Sequence, residues 1–310
     1  MIQSATAERT ERIRAQVAHC KAANRMTPAQ CSKLRGSVQA YGSTVHGQVA
    51  KGGLQPIGEQ AKAKTPELRP STRRALDYIE TMLDFSPPRM IKVGGCRPVA
   101  WCWSDAEYDQ QRPELGGGLG YVLMRDTRVV AGACRVPADV IKSFLPRKQQ
   151  IGQLEALVPY VAMCNHPEML RGVDAMWGID NTSAEASLIR GYSSKGDTAN
   201  LVAATHLVMA DLDMRTYWFH VDSESNPSDG LSRDGLEDEW TCQMARQYQW
   251  QLCEAALPPL KQWENLPFQM LVQSMVATMG DRKGRHGVYS NIRRWEQPAL
   301  AQQLRCFTYP

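Results

Sequence analysis

Four acidic residues stand where the sequence pattern changes from one predicted element to the next. Asp105 and Asp180 each follow a run typical of a β-strand, Glu155 lies within a helical pattern, and Asp229 opens another helix. Carboxylate oxygens are the ligands that Mg²⁺ and Mn²⁺ prefer. Two carboxylates about 4 Å apart repel by roughly 4 kcal/mol at an effective dielectric of 20, so four can share a site only with divalent cations present. The four acids are therefore candidate metal ligands if folding brings them together.

The two aspartates depend on two predicted strands. The stretch Val99–Tyr108, VAWCWSDAEY, is apolar at both odd and even positions before Asp105. Both of its faces should therefore be covered, which places this strand near the centre of a sheet and ends it at Asp105. Residues 173–180, VDAMWGID, predict a second strand that ends in Asp180. If the strands are parallel, the two aspartates meet at the carboxyl edge, where open α/β sheets bind ligands, although either could be only a turn residue.

Glu155 depends on a helix predicted over residues 147–163. Leu154 and Val158 belong to its apolar stripe, and Glu155 lies beside that stripe. A buried carboxylate costs several kcal/mol unless it is paired or bound to a metal, so Glu155 requires a partner unless its side chain reaches solvent. Pro159 cannot donate the helical hydrogen bond to the carbonyl of Glu155, so any kink should centre on this acid.

Asp229 follows a helix-start signal. Asn226 is predicted as the N-cap and Pro227 as a residue of the first turn. A purely structural role is open as well, because Asp229 would stabilise a helix N-terminus without taking part in chemistry.

The remaining patterns complete a mixed α/β fold. The glycine-rich segment 114–120 opens a strand and not a helix, so it favours two hairpins, and thus a three-stranded antiparallel meander, over a phosphate loop. Helices are predicted to start at Pro28 and to cover 71–84, 182–188 and 201–212; a final strand is predicted over 216–221, and residues from 235 onward are expected to be helical.

Composition bounds the class of protein. The chain has 310 residues, of which 43% are apolar and 22% charged, which suits a globular protein. Nine cysteines without a C-x-x-C pair indicate reduced thiols and argue against a disulfide framework or a structural zinc site. No apolar run is long enough for a membrane span, and the first residues lack the apolar core of a secretory signal. We expect an intracellular protein, cytoplasmic or nuclear, with no membrane association.

Charge is distributed unevenly along the chain. Basic residues exceed acidic ones in residues 1–90, and acidic residues are in excess in 91–236. This asymmetry is typical of a protein in which one part holds a polyanion and another holds cations, although a basic helix that only faces solvent remains an alternative. We predict three units: a basic helical segment over 1–90, the α/β domain over 91–236, and a helical extension over 237–310 whose basic loop, 281–286, contacts either nucleic acid or solvent.

The ordered acids and strands resemble a known family, the ribonuclease H domain of retroelement reverse transcriptases of the LTR or DIRS-like type. The residues that carry the resemblance are WSDA (103–106), QIGQLE (150–155), WGIDN (177–181) and NPSDGLSR (226–233). The resemblance covers about residues 91–236. It implies a ribonuclease H-like fold with a mixed five-stranded sheet, three strands antiparallel and then two parallel, flanked by helices.

The resemblance also implies an activity. It implies endonucleolytic cleavage of the RNA strand of an RNA·DNA hybrid, with Asp105, Glu155, Asp180 and Asp229 as catalytic residues and metal ligands. Two Mg²⁺ ions roughly 4 Å apart, or Mn²⁺, would share Asp105, with one ion activating water and the other stabilising the leaving oxygen. The expected partner is RNA·DNA hybrid or another nucleic acid, read through the 2′-hydroxyls of a shallow minor groove; no protein partner is indicated.

Residues 27–90, particularly KLRG (33–36) and SPPR (86–89), look like the end of the polymerase and connection segment that precedes this domain. The chain contains no Asp-Asp pair, so the polymerase site is absent and we expect a remnant or a processed piece. Many family members keep a His on a loop before the last Asp. Here Ser223 and Glu224 occupy that loop, and His220 is interpreted as a strand residue.

Two other functions stay open. A 3′–5′ exonuclease would fit the D-x-E sequence formed by Asp105 and Glu107, but no His or Tyr stands at the expected short spacing before Asp229. A catalytically silent, domesticated or decaying fragment would keep the fold and bind nucleic acid or nothing at all. Intact acids show only that the chemistry is possible.

Overall fold

The computed structural model describes residues 2–85, 89–90, 96–144, 146 and 150–258. Most of the predicted boundary motif at 86–89 and the basic loop at 281–286 lie outside the described residues. The strands are β1 (Ile2–Gln3), β2 (Arg89–Met90), β3 (Val99–Tyr108), β4 (Gly117–Arg125), β5 (Arg128–Val136), β6 (Asp174–Ile179), β7 (Arg215–His220) and β8 (Gln251–Glu254). The α-helices are α1 (Ala7–Ala22), α2 (Pro28–Gly42), α3 (Leu54–Gln60), α4 (Pro70–Phe85), α5 (Ala138–Ser143), α6 (Ile151–Asn165), α7 (Pro167–Leu170), α8 (Thr182–Arg190), α9 (Gly196–Asp211), α10 (Asp229–Asp234) and α11 (Glu239–Tyr248).

The main sheet has the strand order β7-β6-β3-β4-β5-β8. Strands β3, β4 and β5 form the predicted antiparallel meander, and β3, β6 and β7 run parallel to one another. The predicted mixed α/β fold with three antiparallel and two parallel strands is therefore confirmed.

A sixth strand extends that sheet beyond the prediction. Strand β8 pairs parallel with β5, within a region predicted to be helical. The helical pattern is correct only for α11, which ends at Tyr248; Gln249 then has a left-handed backbone (φ 57°) that directs the chain back toward the sheet. Leu252, within the region expected to be helical, lies in β8.

Helix α6 packs on one face of the sheet and on α9, and both helices are almost entirely buried. Helices α1 to α4 adjoin this layer, and their buried apolar side chains form one cluster with those of α6, α9 and the sheet. The capping box predicted at the start of α2 is present, with Thr27 and Gln30 bonded reciprocally. The predicted unit boundary near residue 90 falls between α4 and β3, and the division into three units stays a prediction.

Strand β3 differs from its prediction in two respects. It continues through Asp105 to Tyr108, and its odd-numbered face is not fully covered, because Val99 is 47% and Trp101 40% exposed. On that face Leu231 of α10 packs only against the strand centre, beside Val122. A run that is apolar at both odd and even positions predicts that both faces are covered, but it cannot reveal that the element over one face is a short helix.

The glycines of β4 allow that short helix to approach the sheet. A Cβ on Gly118 would overlap the backbone carbonyl of Ser232, and a Cβ on Gly120 would lie 2.6 Å from the backbone N of Ser232 and 2.7 Å from the carbonyl oxygen of Ser228. Gly120 is also the direct partner of Asp105 in the sheet. The glycine-rich segment therefore provides close packing of α10 on the strands, in agreement with the predicted hairpin. No α-helix among the residues described above is long and apolar enough to cross a membrane.

We predict that Gly120→Ala destabilises the protein by about 1–3 kcal/mol, because the new methyl group must displace the backbone of α10. The measurement is urea denaturation followed by circular dichroism. The matched control is Gly36→Ala in α2, where nothing lies within 4 Å of the added Cβ and the higher helix propensity of Ala should stabilise by about 0.5–1 kcal/mol. Equal effects of the two substitutions would contradict close packing at Gly120.

Candidate metal centre

Two of the predicted acids meet because β3 and β6 are parallel neighbours. Their register pairs Ser104 with Ile179, so Asp105 and Asp180 follow at adjacent positions. Asp105 is 4% exposed and Asp180 is half-buried. The pairing is secured behind the acids by the indole N–H of Trp177, which donates to the hydroxyl of Ser104 at 3.0 Å.

The third acid comes from α6. Glu155 is 2% exposed, and its Oε1 accepts a hydrogen bond from the backbone N–H of Ala106 at 3.2 Å. Its Oε2 has no hydrogen-bond partner among the described residues. Helix α6 continues through Pro159, so the carbonyl of Glu155 receives no helical N–H from that position. The prediction that Glu155 is buried is confirmed, and its second oxygen has room for a further partner.

Asp105, Glu155 and Asp180 each offer a carboxylate oxygen within 4.8 Å of the other two. At that separation two full charges repel by about 3 kcal/mol at an effective dielectric of 20. Burial raises the pKa of Asp105 to about 7, and the charges of Asp180 and Asp229 act in the same direction. Burial likewise raises the pKa of Glu155 well above its usual value, and the charges of Asp105 and Asp180 add to the effect. The negative charge of the cluster is thus poorly compensated by the described protein groups around it.

Asp229 lies at the rim of the cluster. It lines the same cavity of about 380 Å³ as the other three acids, but it is not part of the group whose oxygens lie within 4.8 Å. Its Oδ1 accepts a hydrogen bond from the guanidinium of Arg233, one helical turn later, at 2.7 Å. The structure therefore gathers three of the four predicted acids tightly and places the fourth beside them.

The prediction that Asn226 caps the last helix is wrong. Helix α10 begins at Asp229 with Ser228 as its N-cap. Asn226 is instead buried: its amide donates to the carbonyl of Ser104 at 3.1 Å, and its Oδ1 accepts from the N–H and hydroxyl of Ser228. Sequence spacing shows that an Asn side chain can bond locally, but not that it is turned toward a distant strand.

Two serines were missed as candidate site residues. The hydroxyl of Ser232 donates to Oδ2 of Asp105 in a short hydrogen bond, and the hydroxyl of Ser223 donates to Oδ2 of Asp180 at 2.7 Å. Ser232 lies within the quoted NPSDGLSR motif and Ser223 in the loop where family members keep a His, but nothing in the sequence shows that their hydroxyls reach Asp105 and Asp180. His220, interpreted as a strand residue, is the exposed last residue of β7.

The residues present suit a divalent cation. All the donors are hard carboxylate oxygens, the ligand type that Mg²⁺ and Mn²⁺ take. The Oε2 of Glu155, buried and without a described partner, is an atom that a cation would satisfy. Glu107, the other acid of the D-x-E sequence, faces Arg135 at 3.3 Å and is not one of the clustered acids.

Comparisons with known proteins give little further identification. No protein-family model matches the sequence. No protein with a curated description matches it either. Among solved structures, the chain is similar to ribonuclease H1 from the halophilic archaeon Halobacterium salinarum NRC-1, with 15% identity and a TM-score of 0.35; the match covers 45% of this chain and 98% of that one.

We predict that Asp105→Asn stabilises the protein when metal is chelated, because it removes a buried charge from the acid cluster. The folded protein binds this proton more tightly than the unfolded chain. The contribution of Asp105 to stability without metal is therefore greatest below about pH 4 and is lost as the pH rises through about 7. The gain for the variant at pH 8 should be at most about 4 kcal/mol, measured by thermal unfolding in EDTA.

Added Mg²⁺ should raise the Tm of the wild type and have a smaller effect on Asp105→Asn. The control is Asp234→Asn, which removes an exposed carboxylate outside the cluster. If Asp105→Asn behaves like this control in both EDTA and Mg²⁺, the acids do not form a cation site.

Proposed function

We propose that this protein is a metal-dependent nuclease of the ribonuclease H type that hydrolyses the RNA strand of RNA·DNA hybrids. The observation that carries the proposal is the cluster of Asp105, Glu155 and Asp180, drawn from three distant segments to within 4.8 Å at the carboxyl edge of β3 and β6. Such a group is costly to assemble without cations and is suited to holding them.

Asp105, Glu155, Asp180 and Asp229 are the proposed ligands of two Mg²⁺ or Mn²⁺ ions. Bound cations of this kind polarise a phosphoryl oxygen, lower the pKa of a water nucleophile and neutralise the leaving oxygen. The residues around the acids would prepare them for this role. Ser232 and Ser223 fix the orientation of Asp105 and Asp180 by donating to one oxygen of each, which leaves the other oxygen for a ligand.

Arg233 has a separate role in the proposal. It neutralises Asp229 at the rim, where a substrate phosphate would approach. The same guanidinium could contact that phosphate when Asp229 turns toward a cation, because Arg pairs with both carboxylates and phosphates.

The choice of substrate comes from the sequence resemblance. Within the retroelement ribonuclease H family, the four quoted motifs correspond to Asp105, Glu155, Asp180 and Asp229 and imply cleavage of RNA paired to DNA. The strand order around β3 supports this choice, since it matches the three antiparallel and two parallel strands that the resemblance implies. Retroelement origin, the polymerase-derived nature of residues 27–90 and a role of this basic segment in holding substrate are parts of the same proposal.

The test is hydrolysis of labelled RNA·DNA hybrid by the full chain in Mg²⁺ or Mn²⁺. We expect internal cleavage of the RNA strand, and a loss of at least about a thousandfold in Asp105→Asn and in Asp180→Asn, because cation-based stabilisation supplies several kcal/mol. Asp234→Asn is the control and should keep full activity.

Two results would overturn the proposal. If wild type and Asp105→Asn show the same lack of cleavage while the wild type binds hybrid, the protein is a silent binding module. If products shorten by single nucleotides from the 3′ end, the exonuclease alternative is correct.

We further predict that Ser232→Ala weakens cation binding by roughly tenfold or more, because Asp105 loses the hydroxyl that orients it. Isothermal titration with Mn²⁺ measures this change directly and does not depend on cleavage. The matched control is Ser225→Ala, an exposed serine on the neighbouring loop. Unchanged Mn²⁺ affinity in the Ser232 variant would assign that hydroxyl a packing role only.

A further inference from the structure

A long groove lies between the N-terminal helices and the outer edge of the sheet. It has a volume of about 1450 Å³, and its walls are formed by α2 and α3 on one side and by α8 and β7 on the other. Small-molecule sites are usually about 300–1000 Å³. The groove is therefore larger than a metabolite requires and suits a segment of a polymer.

The groove and the acid cavity are lined by neighbouring residues of the same two segments. Asn181 lines the acid cavity, and Glu185, one turn later on α8, lines the groove. On the other side His220 at the end of β7 lines the groove, and Ser223, three residues on, lines the acid cavity. The two cavities therefore border on the same two segments, which places the groove beside the acids.

Among the charged residues of the lining, basic ones predominate. Four cations, Arg35, Lys51, Lys62 and Arg89, have no acidic partner within 4.0 Å among the described residues. Two acids of the described ranges line the groove, Glu59 and Glu185. A groove with more unpaired cations than acids complements a polyanion.

Aromatic side chains line the α8 and β7 side of the same groove, opposite Arg35, Lys51 and Lys62. Tyr217 of β7 is 64% exposed and Tyr192, after α8, is 39% exposed, while Phe219 is half-buried. Exposed rings beside cations are the arrangement by which proteins bind unpaired nucleic acids, since bases stack on the rings while the cations contact phosphates. A base-paired duplex keeps its bases stacked inside the helix and would leave these rings unused.

From these observations we infer that the groove binds an unpaired nucleic-acid strand that continues from the hybrid held at the acid cluster. The inference rests on the proposed nuclease function, because it assigns the groove to an extension of the same substrate. The outer edge of β7, which has no strand partner in the described part of the chain, could instead receive an extended peptide. The four unpaired cations favour the nucleic acid.

The first experiment measures binding of a labelled single-stranded oligonucleotide to the full chain by fluorescence anisotropy in EDTA, where no cleavage occurs. The test variant is Arg35→Glu, Lys51→Glu and Lys62→Glu combined. We expect at least a tenfold loss of affinity and a salt dependence reduced by about 2 in the slope of log K against log salt, about 0.7 for each lost phosphate contact.

The matched control reverses three charges in the same segment but outside the groove. Arg12, Arg25 and Lys33 are exposed and absent from the groove lining, so their combined change to Glu alters the net charge equally. This control should retain most of the affinity. Equal losses of affinity in the two triple variants would show that the oligonucleotide binds through the overall charge of the protein. That result would overturn the inference that the groove binds it.

A second variant tests stacking. Tyr192→Ala combined with Tyr217→Ala changes two exposed rings and should keep the fold while lowering single-strand affinity about tenfold, with an unchanged salt slope. An affinity equal to wild type would overturn the proposed stacking. If the wild-type protein does not bind the oligonucleotide but binds an extended peptide in the same assay, the groove is a site for a protein partner and the inference is wrong.

A cleavage assay separates this inference from the proposed function. Hybrid with a single-stranded DNA extension should be cleaved more efficiently than blunt hybrid by the wild type, and the difference should disappear in the groove triple variant. Asp105→Asn should lose cleavage yet keep oligonucleotide binding. Oligonucleotide binding without any cleavage would reject only the proposed nuclease function. Cleavage that does not respond to the single-stranded extension would reject only the proposed role of the groove.

Discussion

The mutual repulsion of three carboxylates is the constraint that the remainder of this structure must satisfy. Asp105 and Glu155 are almost fully removed from water, and with Asp180 they lie within 4.8 Å of one another. From the residues that the structure describes, few compensating donors reach them: one backbone N–H and two serine hydroxyls. Regular elements fix the positions of the three acids. Asp105 lies on β3, Asp180 directly follows the paired parallel strand β6, and Glu155 lies on the apolar helix α6, which packs against the sheet.

Helix α10 is also held firmly against β3, although it is far from that strand in the sequence. Asn226 binds the strand carbonyl of Ser104, and Gly118 and Gly120 remove the side chains that would keep α10 away. Together they position Asp229 and Ser232 over the strand that carries Asp105. The NPSDGLSR segment therefore contributes both scaffold and site, and one short helix supplies a hydroxyl, a carboxylate and a guanidinium around the same cavity.

Sequence periodicity was sufficient for β3 to β7 and for helices such as α6 and α9, because these strand and helix patterns depend on local alternation that burial preserves. It failed where an outcome depends on remote packing. Whether Trp101 is covered depends on how far α10 extends over β3. Whether the Asn226 side chain caps its own helix or bonds to the backbone of β3 depends on how the fold places it relative to Ser104. The serine donors have no pattern of their own, and β8 forms only because its residues meet β5 from far along the chain.

The sixth strand has a consequence for how this chain behaves as an isolated molecule. Strand β8 covers the margin of β5, and Asn165 secures the following turn through both its amide and its carbonyl to Ala256. An uncovered margin offers unsatisfied backbone groups to any other chain and promotes self-association. Strand β8 replaces that margin with an edge of only four residues, which lowers the tendency to aggregate at that side, while the opposite margin, β7, borders the groove.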